Sequence, residues 1–183
     1  MLLQMVKKIF TLLALITVLP ARSKPEQPMT ENAPVLTVCQ VLSNAFLYDG
    51  KFIRIRDRVV STEEGSWLKS DQCPGVFKTD DYVWASMVSI AAPGLPLQIH
   101  PVDFEFDVAS QRRVDLAHDK LTRSVPEKCI QWTYAGVFET RREWTMMRNG
   151  KPRGFGHLNA APAQLISKSV DGVSPIDGCV PSR

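Results

Sequence analysis

The chain has 183 residues, with 22 lysines and arginines against 19 aspartates and glutamates. Residues 1–23 contain Lys7, Lys8 and Arg22 and no acidic residue, so the part of the chain from residue 24 onward has 19 basic and 19 acidic side chains. This zero net charge argues against non-specific nucleic-acid binding, which depends on an excess of positive charge.

The N-terminal segment has the three parts of a secretory signal peptide. A basic flank at residues 7–8 precedes a largely apolar run over 9–19, and small residues suited to cleavage follow at 21–23. The apolar run is about half of the roughly 20 residues that a membrane-spanning helix needs. We therefore expect residues 1–23 to be a signal peptide. The protein would then be secreted or periplasmic, without a stable membrane anchor after cleavage.

The rest of the chain predicts a flexible leader over 24–34 and a single domain over 35–183, mainly β with one or two short helices. The predicted elements are, in order, a helix over 35–46 capped by Thr37, strands over 51–61, 66–70 and 82–91, a helix over 107–122 capped by Asp107, a strand over 129–140, an extension of the sheet over 144–147, and a last strand over 164–170. The first strand is the clearest, because Ile53 and Ile55 alternate with Arg54 and Arg56. Gly136 predicts a bulge or a sharp coil in the strand over 129–140.

Four cysteines remain after the signal peptide, and an even number in an exported chain indicates disulfides. Three pairings are possible. We favour Cys39–Cys73 and Cys129–Cys179, because each of these pairs joins neighbouring stretches of the predicted domain. No C-x-x-C motif occurs, so neither a thioredoxin-like site nor a zinc knuckle is indicated.

The order of helix, three strands, helix and further strands resembles the OB-fold. Residues 42–56 resemble the opening of exported bacterial OB-fold-like proteins, in which a short helix leads through a Tyr-x-Gly-Lys turn into strand one. Residues 134–139 and 154–165 resemble segments of uncharacterised secreted bacterial proteins with that opening. The resemblance implies a five-stranded antiparallel OB-fold-like barrel and no established activity. One departure is Asp57, which stands where OB-folds commonly have the glycine that bends strand one.

The arginine row on the first strand is one candidate binding site. Arg54 and Arg56, with Arg58 after them, would hold phosphate or carboxylate groups. The alternative is an ordinary exposed strand face with ion pairs to Asp57 or Glu63.

Three aromatic residues on the second and third strands are another candidate. Trp67, Tyr82 and Trp84 would stack on a base or a sugar ring if their faces are exposed. The alternative is that they fill the core.

The segment over 154–159 is the most unusual local string, because Gly154 and Gly156 allow close backbone approach. His157 and Asn159 would then present polar atoms to a ligand. The alternative is a tight crossing in which His157 bonds to the backbone and holds the last strand in place.

The sequence contains no motif for a metal site, a cofactor, a catalytic nucleophile or a phosphate-binding loop. Residues 108–153 have ten basic residues against five acidic ones, which indicates either a solvated surface or a basic face for an acidic partner. We expect an exported, non-catalytic binding module for a glycan, a small envelope molecule or a protein partner in the cell envelope. The alternatives are an enzyme with a site near His157 and a nucleic-acid-binding OB-fold.

Overall fold

The structure is a computed structural model that describes residues 33–80, 82–95 and 98–179. The predicted signal peptide and most of the predicted leader lie outside these residues. Within the described ranges, no helix is both long enough and apolar enough to cross a membrane.

The chain is mainly β, as predicted, but it has three helices where one or two were expected. The helices are α1 Val38–Ser43, α2 Ala45–Tyr48 and α3 Val108–Leu121. The strands are β1 Val35–Leu36, β2 Phe52–Thr62, β3 Gly65–Lys69, β4 Lys78–Thr79, β5 Tyr82–Val83, β6 Met87–Ala91, β7 Ile130–Thr140 and β8 Ala163–Pro175.

The strand pairings form a closed cycle. β2 pairs with β3, β3 with β6, β6 with β8, β8 with β7, and β7 again with β2. β1 adds a sixth strand beside β2, and β4 and β5 form a separate two-stranded sheet. The sheet is mixed, because β1–β2 and β6–β8 are parallel, so the expectation of a purely antiparallel sheet is wrong for these two pairs. The parallel pair β6–β8 is possible because α3 and β7 supply the crossover between its strands.

β2 changes its pairing partner at Asp57. Residues up to Asp57 pair with β7, and residues from Arg58 onward pair with β3. The Asp57 carboxylate accepts hydrogen bonds from the backbone N–H of Arg58 at 3.0 Å and of Val38 at 3.3 Å. The carboxylate at this point of β2 therefore also holds the first residue of α1.

The predicted first helix is shorter than expected and is divided. Thr37 caps α1 as predicted. In a capping box, its side chain accepts from the backbone N–H of Gln40, and the Gln40 side chain accepts from the backbone N–H of Thr37. Because the helix starts at the cap, Val35–Leu36 is free to pair with Arg54 and Ile55 as β1. Asn44 separates α1 from α2 with a non-helical backbone.

Two other strand predictions need correction. The strand predicted over 82–91 is divided into β5 and β6, because the Trp84 side chain turns into the core. The backbone N–H of Trp84 donates to the Phe77 carbonyl at 3.1 Å. Residues 144–147 do not extend the sheet. They belong to a small hairpin closed by the bridge between Met146 and Pro152.

Other predictions are confirmed. Asp107 caps α3 by accepting from the Ser110 N–H at 3.0 Å. The β7–β8 register shifts between Ala135 and Gly136, where a Cβ on the glycine would lie 2.0 Å from the Ile166 carbonyl oxygen. β8 begins near the predicted start and continues beyond the predicted end to Pro175.

Each strand of the cycle contributes to one buried cluster. The alternation on β2 is as predicted, with Ile53 and Ile55 buried and the arginines partly exposed. α1 and α2 pack against the same cluster. Its other members include Leu68, Val88, Phe138, Leu165, Val38, Val41, Leu42 and Ala45.

Both favoured disulfides are present, Cys39–Cys73 and Cys129–Cys179, and no cysteine is free. The first joins α1 to the segment after β3. The second fixes the C-terminal tail to the start of β7.

Reduction should destabilise the protein strongly. The disulfides span 34 and 50 residues, for which loop-closure entropy gives about 4 kcal/mol each. Urea unfolding with and without reductant measures the change, and thiol titration in denaturant should find no free thiol before reduction. An unchanged unfolding midpoint after complete reduction would contradict the prediction.

Stability should depend on pH through Asp57, because burial raises its pKa above the ordinary value of 3.8 against the opposing backbone hydrogen bonds from Arg58 and Val38. A raised pKa means that the folded state binds the proton more tightly, so the ionised carboxylate costs stability once the pH rises above the unfolded value. Relative to wild type, Asp57→Asn should therefore gain unfolding free energy as the pH rises above 3.8.

Asp71→Asn is the matched control with the opposite sign. Lys69, through a side-chain hydrogen bond, and then Arg58 lower the pKa of Asp71, so its contribution is present above 3.8 and is lost as the pH falls. Relative to wild type, this variant should lose stability as the pH rises toward 3.8, and the difference should stay constant at higher pH. Equal pH profiles for the two variants in urea titrations would refute the assignment.

Candidate functional site

A chain of five aromatic rings runs from α2 to β5, and two of the predicted site residues belong to it. The ring centroids are 6.1 Å apart for Phe46–Phe77, 6.0 Å for Phe77–Trp144, 4.9 Å for Trp144–Trp84 and 4.8 Å for Trp84–Tyr82. These separations are typical of favourable ring contacts. We call these five residues the aromatic chain.

Buried and more accessible rings alternate along the aromatic chain. Trp84 is 1% exposed and its indole N–H donates to Thr79 Oγ1 at 2.8 Å. Phe77 is also buried, whereas Tyr82 and Trp144 are half-buried and Phe46 is exposed. Trp84 is therefore a core residue with no free face for stacking, and Tyr82 is the accessible member of the predicted pair.

Residues 141–153, which follow β7, form the basic hairpin. Arg153 N–H binds the Thr145 carbonyl at 2.8 Å and Met147 N–H binds the Lys151 carbonyl at 2.8 Å. Asn149-Gly150 lies at its tip. The hairpin has five cations and one acid, Glu143.

The cations of the basic hairpin contact aromatic rings. Arg142 lies 5.7 Å from the Phe46 centroid, Lys151 lies 6.0 Å from that of Tyr82, and Arg141 lies 4.6 Å from that of Phe155. In the described ranges, none of the five hairpin cations lies within 4.0 Å of a carboxylate oxygen. Burial, and then the charge of Arg153, lowers the pKa of Arg141. Opposing these two effects, the charge of Glu139 acts to raise the pKa of Arg141. The hairpin is therefore a positive surface without a carboxylate ion pair in the described ranges.

The segment Gly154–Ala160, which we call the glycine crossing, passes between two indoles. A Cβ at Gly154 would lie 2.7 Å from the Trp84 ring, and one at Gly156 would lie 3.1 Å from Trp67 Nε1. Gly156 also has φ +70°, which favours glycine. The close approach predicted for these two glycines is confirmed.

Trp67 lies under the glycine crossing, in a row of buried side chains that spans four strands. Direct cross-strand pairing places the members on one face of the sheet. The row is Trp67, Ser89, Gln164 and Glu139. Trp67 is 8% exposed, and its indole N–H has no hydrogen-bond partner among the described residues. Trp67 therefore has no exposed face for stacking on a ligand.

Glu139 lies at the other end of this row, beside Gln164. Its carboxylate accepts from the Gln164 amide at 2.7 Å, from the Ile99 N–H at 2.9 Å and from the His100 N–H. Glu139 is fully buried and Glu143 is exposed, so the two do not form an acid pair. Glu139 instead holds the segment before α3 against the sheet.

The side chains of His157 and Asn159 connect the glycine crossing to two neighbouring segments. His157 Nε2 lies 2.8 Å from a carboxylate oxygen of Glu64 in the β2–β3 turn. The Asn159 amide donates to Met147 Sδ at 3.5 Å, which joins the crossing to the basic hairpin. Among the described residues, the His157 side chain therefore pairs with a carboxylate. It does not bond to the backbone, as the alternative interpretation predicted.

Leu158, between them, is strained. It has φ +53° and Asn159 has φ +54°. A left-handed backbone costs a leucine about 1–2 kcal/mol, whereas asparagine tolerates it better. The Leu158 side chain is nevertheless 72% exposed, so no burial in this structure offsets that cost.

The arginine row lies apart from this surface, and its members have protein partners. Arg54 pairs with Asp171 on β8 at 2.6 Å, Arg56 donates to Thr133 Oγ1 at 2.9 Å, and Arg58 pairs with Asp71. These partners are distant in sequence and differ from the Asp57 and Glu63 that we expected. The ligand-binding role of Arg54 and Arg56 stays a prediction.

The sequence analysis missed Phe46, Phe77, Trp144 and the basic hairpin as a unit. The excess of cations in residues 108–153 was the available signal, and half of those ten cations lie in the hairpin. Among the described residues, no three His, Cys, Asp or Glu side chains are grouped so as to hold a metal ion.

Alanine at Gly154 should destabilise the protein by about 1–3 kcal/mol, the usual cost of overpacking. Its Cβ would lie 2.5 Å from the Ala161 carbonyl oxygen, which the backbone cannot avoid without moving the crossing. Gly172→Ala is the control, because nothing lies within 4 Å of its Cβ. Urea unfolding compares them, and equal stability of the two variants would show that the crossing is not tightly packed.

Comparisons of the whole chain with protein-family models, with curated proteins and with solved structures find no significant match.

Proposed function

We propose that this protein is an exported, non-catalytic binding module with an OB-fold-like barrel, and that it binds an anionic ligand through the basic hairpin and the rings beside it. The observation that carries the proposal is the group of five hairpin cations without a carboxylate partner in the described ranges. Unpaired guanidinium and ammonium groups are well suited to phosphate or carboxylate groups.

The barrel is supported by the closed cycle of pairings through β2, β3, β6, β8 and β7, with α3 between β6 and β7. These would be the five strands and the helix of the OB-fold that residues 42–56 resemble. OB-folds bind ligands with the loops between strands one and two and between strands four and five. The corresponding loops are the turn with Glu64 and the connection that carries the basic hairpin, and the His157–Glu64 pair joins them.

The positive field of the hairpin is local. Residues 24–183 have no net charge, so attraction of an anion depends on where the cations are placed. Cations held against Phe46, Tyr82 and Phe155 keep their positions at the surface. An anion would therefore meet an arrangement that is already ordered.

Export is supported by the signal-peptide pattern of residues 1–23 and by the two disulfides, which persist mainly in oxidising compartments. The partner would then be a component of the cell envelope or of the surroundings. The protein itself would have no stable membrane anchor after cleavage. Nucleic acid, although anionic, is the less favoured ligand for an exported protein.

Enzymatic activity near His157 remains the alternative. Its imidazole contacts the Glu64 carboxylate, as a general base would need. A hydrolytic activity abolished by His157→Gln in a folded protein would favour that function. Binding retained in the same variant would favour the binding module.

Reversing two hairpin charges should abolish binding to a generic polyanion. In Arg148→Glu with Lys151→Glu, both altered side chains are exposed, so we expect stability to change by less than about 0.5 kcal/mol. Heparin affinity at neutral pH measures the effect, and the wild-type interaction should weaken steeply with added salt.

The matched control reverses two exposed charges on α3, Arg112→Glu with Lys120→Glu. This variant has the same net charge as the hairpin variant and should keep most of the heparin affinity. Equal loss in both variants would mean that only net charge matters. Absence of heparin binding by the wild type would remove the proposed anionic ligand.

A further inference from the structure

The surface around the basic hairpin is apolar as well as positive. Three of its large hydrophobic side chains are about half exposed or more. They are Phe46 at 47%, Met146 at 53% and Leu158 at 72%.

Hairpin cations lie next to these apolar groups. Arg142 contacts the Phe46 ring, and Lys151 contacts the Tyr82 ring. Met146 is itself on the hairpin. Leu158 adjoins Asn159, whose amide binds Met147. The apolar side chains and the cations therefore belong to one surface, which we call the hairpin face.

From this mixture we infer that the hairpin face docks on an anionic lipid surface, with the cations at the headgroups and the exposed apolar side chains at the acyl boundary. The inference rests on the proposed function and names its ligand class. Peripheral membrane binding combines attraction of cations to anionic lipids with burial of apolar area, and the hairpin face offers both.

A polyanionic chain such as a nucleic acid or an acidic glycan fits the face less well. Binding of bases or sugar rings depends on several flat aromatic faces, yet Trp84 and Phe77 are buried, Tyr82 and Trp144 are half-buried, and Phe46 alone in the aromatic chain is exposed. Met146 and Leu158, the most exposed apolar side chains of the hairpin face, offer no ring for stacking. Transfer of such side chains from water into hydrocarbon is favourable in free energy.

A second copy of the chain is also a poorer partner. A two-fold contact would place the same surface on both sides, so the hairpin cations of the two copies would face one another. Lipid headgroups would supply the opposite charge.

Leu158 gives an independent argument. It is a leucine in a left-handed backbone conformation with 72% of its side chain exposed. Neither folding nor solubility favours leucine at this position, where asparagine or glycine would be relaxed. Insertion into a lipid surface provides the burial that the protein alone does not.

The test is co-sedimentation with vesicles of phosphatidylcholine containing phosphatidylglycerol, and with vesicles of phosphatidylcholine alone. We expect wild-type protein to bind the anionic vesicles, and binding to the neutral vesicles to be about tenfold weaker or less. Residues before Ala33 are the same in every variant, so differences between variants report on the hairpin face.

The decisive variant is Met146→Ser with Leu158→Asn. Its affinity for anionic vesicles should fall about tenfold, because apolar area at the interface is lost, while its affinity for heparin should not change. Leu158→Asn removes the left-handed leucine, so the melting temperature should be at least that of the wild type. Leu116→Ser on α3 is the control, since Leu116 is 65% exposed, and it should bind vesicles as the wild type does.

Unchanged vesicle binding by the double variant would overturn the inference. Binding of heparin or of a single-stranded oligonucleotide without binding of anionic vesicles would also overturn it, but would leave the anionic ligand of the proposed function intact. A protein that bound neither vesicles nor heparin would lose both proposals.

Discussion

At Asp57, β2 leaves β7 and joins β3, and the same carboxylate binds the N–H of Val38 at the start of α1. Pairing on both halves of β2 is what lets five strands pair in a closed cycle. A half-buried carboxylate is a costly group at such a position, as its raised pKa indicates. It also satisfies two backbone donors that a glycine would leave without this acceptor, so Asp57 connects the two halves of β2 with the first helix.

The connection between β7 and β8 shows how this framework positions a surface. Its second part, the glycine crossing, is packed against Trp84 on one side and Trp67 on the other. Its first part, the basic hairpin, is held by ring contacts and by the Met147–Asn159 bond. A rigid crossing therefore supports an exposed hairpin, and binding sites on loops depend on such support.

The sequence by itself determined the elements whose signals are local. The alternation from Ile53 to Arg56, the Thr37 and Asp107 caps and the bulge at Gly136 each depend on neighbouring residues or on glycine geometry, and all agree with the structure. The cysteine pairing was also found, because the order of predicted elements placed the partners near one another. The close backbone approach at residues 154 and 156 could be predicted, because glycine has no side chain to prevent it.

Only the tertiary structure decided which side chains reach the surface and what they meet. Trp67, Tyr82 and Trp84 have the same aromatic character in sequence, yet packing buries two and leaves Tyr82 partly accessible beside Lys151. The partners of Arg54 and Arg56 lie on β8 and β7, and register, which no local pattern reveals, brings them together. The hairpin face likewise joins α2, β5, the basic hairpin and the crossing, because side-chain contacts between segments distant in sequence depend on the complete fold.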